Sequence, residues 1–214
     1  MMRLVIVSDT HGMQDELGVL EGDVLIHCGD VCNGFERDDR EIDQLDDWFG
    51  RQRFGAILCV GGNHDFALEE RAAAGARVLE NARFLVDEPF EYGNVLFYGS
   101  PWTPELMGWA FYLEPELAES RWSRIPPETD VLITHSPPAG ILDANRGGHR
   151  CGCPYLAERV KTVRPAVHCF GHVHASAGTQ LQDGVLYMNA SMVNSRYQIT
   201  HSPLVYDLDP GKIL

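Results

Sequence analysis

Nine histidines occur in this 214-residue chain, and five of them fall in one kind of place. His11, His64, His135, His172 and His174 each follow closely on a short apolar run rich in β-branched residues. Asp9, Asp30 and Asn63 occupy equivalent places in Ser8-Asp9-Thr10-His11-Gly12, Gly29-Asp30 and Gly61-Gly62-Asn63-His64-Asp65. Gathered at one edge of a sheet, these residues offer imidazole nitrogens, carboxylate oxygens and an amide oxygen. A mixed nitrogen and oxygen set without thiolate suits manganese, iron, zinc, cobalt or nickel, and disfavours copper(I) and iron–sulfur clusters. Residues i and i+2 of an extended segment share a face. That predicts Asp9 and His11 meeting at one ion, and His172 and His174 reaching adjacent positions. A carboxylate such as Asp30 can bridge two cations, and two ions about 3.5–4 Å apart clamp a phosphate for in-line displacement. A lone D-x-H or G-D is mostly turn chemistry. The ordered set D-x-H, G-D, G-N-H-D, H, G-H-x-H, each behind an apolar run, carries the reading.

The elements that must position these residues are also legible. Runs of four to six apolar residues bounded by Gly or Pro read as buried strands, here at 4–7, 24–28, 56–60, 131–134 and 166–170. Further strands are predicted at 95–98, 185–188 and 204–206. Apolar residues at helical spacing predict helices over 40–51 (Ile42, Leu45, Trp48 or Phe49), 66–74, 113–122 and 154–163, the last with Pro near its first turn. The first half alternates strand and helix and the tail is richer in strand, which suggests an α/β core with mixed sheets. Ligands in such folds bind at the carboxyl ends of strands. The length allows one good core, so one domain over 1–214 is expected.

Seventeen Lys+Arg against 31 Asp+Glu give a formal charge of −14. This argues against nucleic acid or an anionic membrane surface as the main partner, because both need positive charge. No apolar run approaches a membrane span or a signal-peptide core, and a cytoplasmic location is expected. Cys28, Cys59 and Cys169 lie in predicted strands, where Cys acts as a small hydrophobe. Cys151 and Cys153 form a C-x-C with no second pair at zinc-site spacing. All six cysteines are therefore expected to be reduced and outside any metal site.

The full motif set, from residue 9 to 174, resembles the calcineurin-like metallophosphoesterases. Gly99-Ser100-Pro101-Trp102-Thr103-Pro104, the run from Thr129 to Pro138, and Cys151-Gly152-Cys153-Pro154 are similar to the metallophosphoesterase-domain (MPPED) branch. The resemblance implies a four-layer αββα sandwich of two mixed β-sheets with flanking helices. It implies that Asp9, His11 and His174 hold one metal, that Asn63, His135 and His172 hold a second, and that Asp30 bridges them. It implies that His64 contacts the substrate phosphate with Asn63 beside it, stabilises charge or protonates the leaving oxygen, and is oriented by Asp65. Manganese is the leading metal; iron, zinc, cobalt, nickel and magnesium are alternatives. Some animal members of that branch lack a ligand His in the last motif and look like weak enzymes that hold nucleotide. Here His172 and His174 are both present, which favours an active enzyme.

The activity so implied is hydrolysis of a small nucleotide-type phosphodiester by a hydroxide activated between two metals. A phosphomonoesterase, including a protein phosphatase, and a weakly catalytic nucleotide-binding module are the alternatives. Trp102 could stack on a base or pack a loop. Arg146 and Arg150, in a polar segment with Asn145 and His149, could reach the phosphate, since Arg suits its geometry. His27 and His168 lie inside strands and read as core histidines. His201 reads as exposed, and the acidic run from Glu36 to Asp47 as a solvated helix face. The expected partner is a small phosphate ester, with no membrane. The tail strand near 204–206 could pair between subunits in a homo-oligomer.

Overall fold

The computed structural model of the chain describes residues 1–34, 39–104 and 106–212. In chain order the strands and helices are β1 (Met2–Val7), β2 (Val24–His27), α1 (Asp39–Gly50), β3 (Ala56–Cys59), α2 (Phe66–Ala73), β4 (Arg83–Phe84), β5 (Glu88–Tyr92), β6 (Val95–Ser100), β7 (Thr103–Pro104), β8 (Tyr112–Leu113), α3 (Pro115–Trp122), β9 (Val131–Thr134), α4 (Pro154–Val163), β10 (Val167–Phe170), β11 (Gly178–Gln182), β12 (Val185–Asn189) and β13 (Leu204–Leu208).

Two large sheets form. The first has the order β13-β1-β2-β3-β4 and the second β11-β12-β10-β9-β6-β5, while β7 and β8 make a small pair. Strands β1 to β4 run parallel, and β13 joins β1 antiparallel. Strands β12, β10, β9 and β6 run parallel, with β11 and β5 antiparallel at the edges. Both sheets are therefore mixed. The tail strand expected to serve a subunit contact uses one edge on β1 within the chain.

Side-chain alternation explains the layers. Leu4 and Ile6 of β1, Val24 and Ile26 of β2, Phe97 of β6, Ile133 of β9 and Cys169 of β10 share one buried cluster, so the two sheets pack face to face. The alternate residues Val5, Val7 and Leu25 meet Ile42, Leu45, Trp48 and Phe49 of α1 and Leu68 of α2. On the other side Tyr98, Leu132, Phe170 and Tyr187 meet Trp122 of α3 and Leu156 and Val160 of α4. Central parallel strands are thus covered on both faces, which is why they read as continuous apolar runs. The architecture is the αββα sandwich that the motifs imply. Among the described residues no helix is long and apolar enough to cross a membrane.

Of the acidic run, Glu36 and Asp38 lie outside the described residues. The rest is not simply a solvated face. Asp39 and Asp43 pair with Arg71 of α2 at 2.9 and 3.1 Å, and Asp46 accepts the backbone N–H groups of Glu80 and Asn81. The helix therefore ties down the chain that leads from α2 to β4.

Candidate metal centre

The parallel strands of both sheets end at one place. Asp9 and His11 follow β1, Asp30 follows β2, and Asn63 and His64 follow β3 in the first sheet. His135 follows β9, and His172 and His174 follow β10 in the second. A bridge between Ser8 and Ser191 and the Met192 N–H to the Ser8 carbonyl at 2.9 Å join the two sheets at this edge.

The ligand segments are turns, not extended strands. Asp9, His11, Asp30 and His172 all have positive φ, at 54°, 44°, 54° and 69°. The i, i+2 argument for Asp9 and His11 therefore gives the right pairing for the wrong reason. Hydrogen bonds between turns impose the convergence: Asp9 N–H to the Gly29 carbonyl at 2.9 Å, and His11 N–H to the Asp30 carbonyl at 3.1 Å. Non-glycine residues in the left-handed region cost about 1–3 kcal/mol each and persist only where surroundings enforce them. Two glycines show how tight the cradle is. A Cβ on Gly62 would meet the Asp30 carboxylate and the His135 ring, and one on Gly171 would meet the Asp9 carboxylate.

Two groups of ligand atoms result. Asp9, His11 and His174 form one, and Asp30, His135 and His172 the other, with the atoms of each group within 4.8 Å of one another. Asn63 joins the second group, its Oδ1 lying 3.1 Å from His135 Nε2. Asp30 also groups with His11 and His64, so it lies between the two clusters.

The donor chemistry fits cations. His11 Nδ1 lies 3.0 Å from the Cys32 carbonyl, so it carries the proton. Its Nε2 is then a bare lone pair, buried and without a hydrogen-bond partner among the described residues. His135 Nδ1 likewise donates to the Cys28 carbonyl at 2.8 Å. Its Nε2 faces two acceptors, Asn63 Oδ1 at 3.1 Å and Asp30 Oδ2 at 3.4 Å. Only a positive charge reconciles three such atoms. Fixing one ring nitrogen on a carbonyl so that the other points at a metal is the usual supporting arrangement.

Electrostatics agree. Burial works against the Asp9 carboxylate, but the His174 hydrogen bond and the charges of His135 and His174 outweigh it and hold the group at about 2. Burial also opposes charge on Asp30, yet the nearby His135, His11 and His64 keep it well below the usual carboxylate range. His135 moves the other way. Burial would lower it, but Asp30 and Asp9 raise it to about 9. Without a metal the second group thus holds a proton where a cation belongs.

His64 stands against this centre. Its N–H donates to Asp30 Oδ1 at 2.8 Å, its Nδ1 lies 3.2 Å from the Asn33 carbonyl, and its Nε2 lies 3.9 Å from Asp30 Oδ2. Asp65 is placed differently from the side-chain orienting role that the resemblance implies. Its carboxylate accepts the backbone N–H groups of Asp30, Val31, Cys32 and Gly62 at 2.8–3.0 Å. Burial and the Asp30 charge push it up to about 7. Asp65 thus acts through the backbone, stapling the Asp30 turn to the turn that carries Asn63 and His64.

The proposed substrate contacts divide. Trp102 is not at the centre. Its indole N–H goes to Asp87, the Arg121 guanidinium covers its ring at 4.4 Å, and Phe111 packs against its edge. Loop packing claims it, because the indole N–H, the ring face under Arg121 and the edge toward Phe111 all have partners there. Arg150 is held back by the buried carboxylate of Asp143, within its own loop. Arg146 stands exposed at the tip of a turn closed by Asn145 Oδ1, which accepts the N–H groups of Gly147 and His149. The loop base reaches the centre, since Ser176 Oγ, two residues past His174, donates to the Ala144 carbonyl.

Two residues at the centre were not singled out by sequence reasoning. Tyr197, 49% exposed, sets its ring edge-to-face with His11 at 4.8 Å and His174 at 5.3 Å, and lies 6.2 Å from His64. It has φ +56°, rare for an aromatic residue. Trp109 lies 4.9 Å from the His64 ring, and its loop is tied to a ligand by the Ala110 N–H to the Asn63 carbonyl. The sequence signal was an aromatic in each of two polar loops, with nothing to say where those loops return.

Comparison with known proteins accords with this geometry. The chain is 34% identical to the UPF0046 protein K07C11.7 of Caenorhabditis elegans, over 100% of this chain and 77% of that one. It is 32% identical to human metallophosphoesterase domain-containing protein 1, over 96% and 71%. Among solved structures, TT1561 of Thermus thermophilus shares the fold with a TM-score of 0.59 at 15% identity, covering 88% of each chain. Phosphopantetheinyl hydrolase of Mycobacterium tuberculosis does so with a TM-score of 0.57 at 19% identity, covering 91% and 90%. The sequence pattern of the calcineurin-like phosphoesterases matches residues 2–176, which takes in every candidate ligand, and the chain belongs to that family.

Proposed function

We propose that this metal-dependent phosphoesterase hydrolyses small phosphodiesters of the nucleotide type. The observation that carries the reading is Asp30, which belongs to the His135/His172 cluster, groups also with His11 of the other cluster, and has His64 directly beside it. Family and donor set together imply a dinuclear divalent centre, and manganese suits these ligands. Two divalent ions there supply positive charge for the phosphate oxygens and a water of lowered pKa.

The chain's own residues do the rest. Asp9, His11 and His174 would hold one ion and Asn63, His135 and His172 the other, with the Asp30 carboxylate available to both. His64 gives its Nδ1–H to Asn33 and turns Nε2 toward the phosphate. In its imidazolium form that atom donates a hydrogen bond to a phosphate oxygen, or a proton to the leaving oxygen. Tyr197 and Trp109 flank His64 with aromatic faces and edges that suit a planar substituent on the ester. The charge of −14 favours a diester, which carries one negative charge, over a monoester, which carries nearly two at neutral pH.

The test is hydrolysis of bis(p-nitrophenyl) phosphate and of p-nitrophenyl phosphate, each with Mn²⁺ and with chelator. Faster metal-dependent cleavage of the diester is expected. Faster cleavage of the monoester establishes a phosphomonoesterase instead. Absence of metal-dependent turnover of either, with nucleotide still bound, establishes a binding module.

A further inference from the structure

Two fully buried histidines lie outside the ligand set, one in each sheet. His27 is the last residue of β2 and His168 the second of β10. Both are 0% exposed and face the helical layers, His27 against Phe49 of α1, His168 against Phe170 and Tyr187. Burial lowers both to about 3, so both are neutral and each exists as one tautomer.

The hydrogen bonds identify those tautomers. Gly29 N–H donates to His27 Nδ1 at 3.3 Å, so the proton is on Nε2, which reaches Thr10 Oγ1 at 3.0 Å. Thr134 Oγ1 donates to the Ser136 carbonyl at 2.7 Å, so it accepts from His168 Nε2–H at 2.9 Å. Thr10 immediately precedes His11, and Thr134 immediately precedes His135. Each sheet therefore repeats one device: a Thr-His pair where a strand ends, with a buried imidazole on the next strand donating to the Thr. His11 belongs to one ligand cluster and His135 to the other. His27 also reaches Gly29, beside the shared Asp30.

We propose that His27 and His168 are paired positioning residues, each bracing the turn that aims one metal-ligating histidine, His27 for the Asp9/His11/His174 cluster and His168 for the Asp30/His135/His172 cluster. This rests on the dinuclear reading above. A core histidine serving packing alone would need neither a directed donor nor a threonine partner in the same relation to a ligand in both sheets. The matching bonds constrain the turns because a buried N–H left without an acceptor keeps its full desolvation penalty.

The test is Mn²⁺ binding to the full chain by calorimetry, with occupancy of each position read from anomalous scattering in crystals at limiting Mn²⁺. His27→Leu is expected to weaken the ion at Asp9/His11/His174 about 10-fold, the lower end for residues that support metal ligands. His168→Leu is expected to deplete the other ion by a similar factor. His27→Gln and His168→Gln, which return an N–H to the Thr, restore occupancy. Should a leucine variant fail to fold, Thr10→Val and Thr134→Val remove the same acceptor with little change of shape and carry the same expectation. Unchanged affinity, or losses that do not divide between the two positions, overturns the proposal. A wild-type chain that takes up no metal overturns the dinuclear reading itself, a result distinct from wild-type binding with indifferent variants.

Discussion

The two sheets enter the centre on unequal terms. The first supplies both carboxylates, the amide, and the histidines His11 and His64; the second supplies only His135, His172 and His174. Backbone strain is divided the same way. Asp9, His11 and Asp30 sit in the left-handed region on the first side, and His172 alone on the second. Asp65, with four backbone N–H groups on its carboxylate, braces the strained side. The first sheet thus carries the carboxylates in a costly conformation, and the second meets them with imidazoles, of which His135 trades a proton for a metal. The Asp9 and Asp30 carboxylates are placed where the backbone is most constrained, while His135, which holds a proton in the absence of metal, sits on the side that is less strained.

The largest expected effect comes from removing the shared charge. Asp30→Ala should take both ions with it and reduce hydrolysis to background; metal content near two per chain by elemental analysis would refute the bridging role. His64→Ala should leave two ions bound and slow turnover by roughly 10²–10⁴-fold, the scale of a positioned acid. A parallel loss of metal would place His64 among the ligands instead. The division of labour between sheets predicts a pH dependence with a definite sign. Because His135 is raised to about 9 without metal and Asp9 is held at about 2, the competing proton sits on the His135 imidazole of the second sheet and not on the Asp9 carboxylate of the first. Apparent Mn²⁺ affinity should therefore fall as pH drops below about 9, about tenfold per unit for each proton displaced. A flat profile from pH 6 to 8 would break the comparison. Smallest is the aromatic rim: Tyr197→Ala should raise KM for an aryl diester roughly 2- to 10-fold, the worth of one aromatic contact, while Trp102→Phe leaves KM unchanged.

Much of this was readable in the sequence, and the unreadable parts share physical reasons. Central strands covered on both faces must be apolar throughout, so β9 at Val131–Thr134 and helix α4 at Pro154–Val163 match their predicted bounds. Edge strands need not be apolar. Glu88–Tyr92 and Gly178–Gln182 alternate half-buried with exposed residues and carry no apolar run, and they passed unnoticed. The ligand set was legible because short motifs fix residue type and order. Their left-handed conformations were not, since those arise from hydrogen bonds between turns distant in sequence. Asp65 reads like a partner for the adjacent His64, and only folding shows its carboxylate turned to backbone 33–35 residues earlier. Tyr197 and Trp102 make the same point in opposite directions: the position of a loop aromatic depends on where the loop returns.

The bond from His172 N–H to the Asp9 carboxylate spans 163 residues of chain. Contacts of such long range form late, because loop closure must precede them. At ribosomal rates of about 5–20 residues per second, Asp9 waits roughly 10–30 s before His172 has even been made. The emerging chain can therefore fold much of its first sheet while Asp9 still lacks its partners from the second. Completion of the Asp9 cluster becomes one of the last events of biogenesis, and a chain truncated before residue 172 would keep Asp9 without the His172 N–H and the His174 imidazole that meet it.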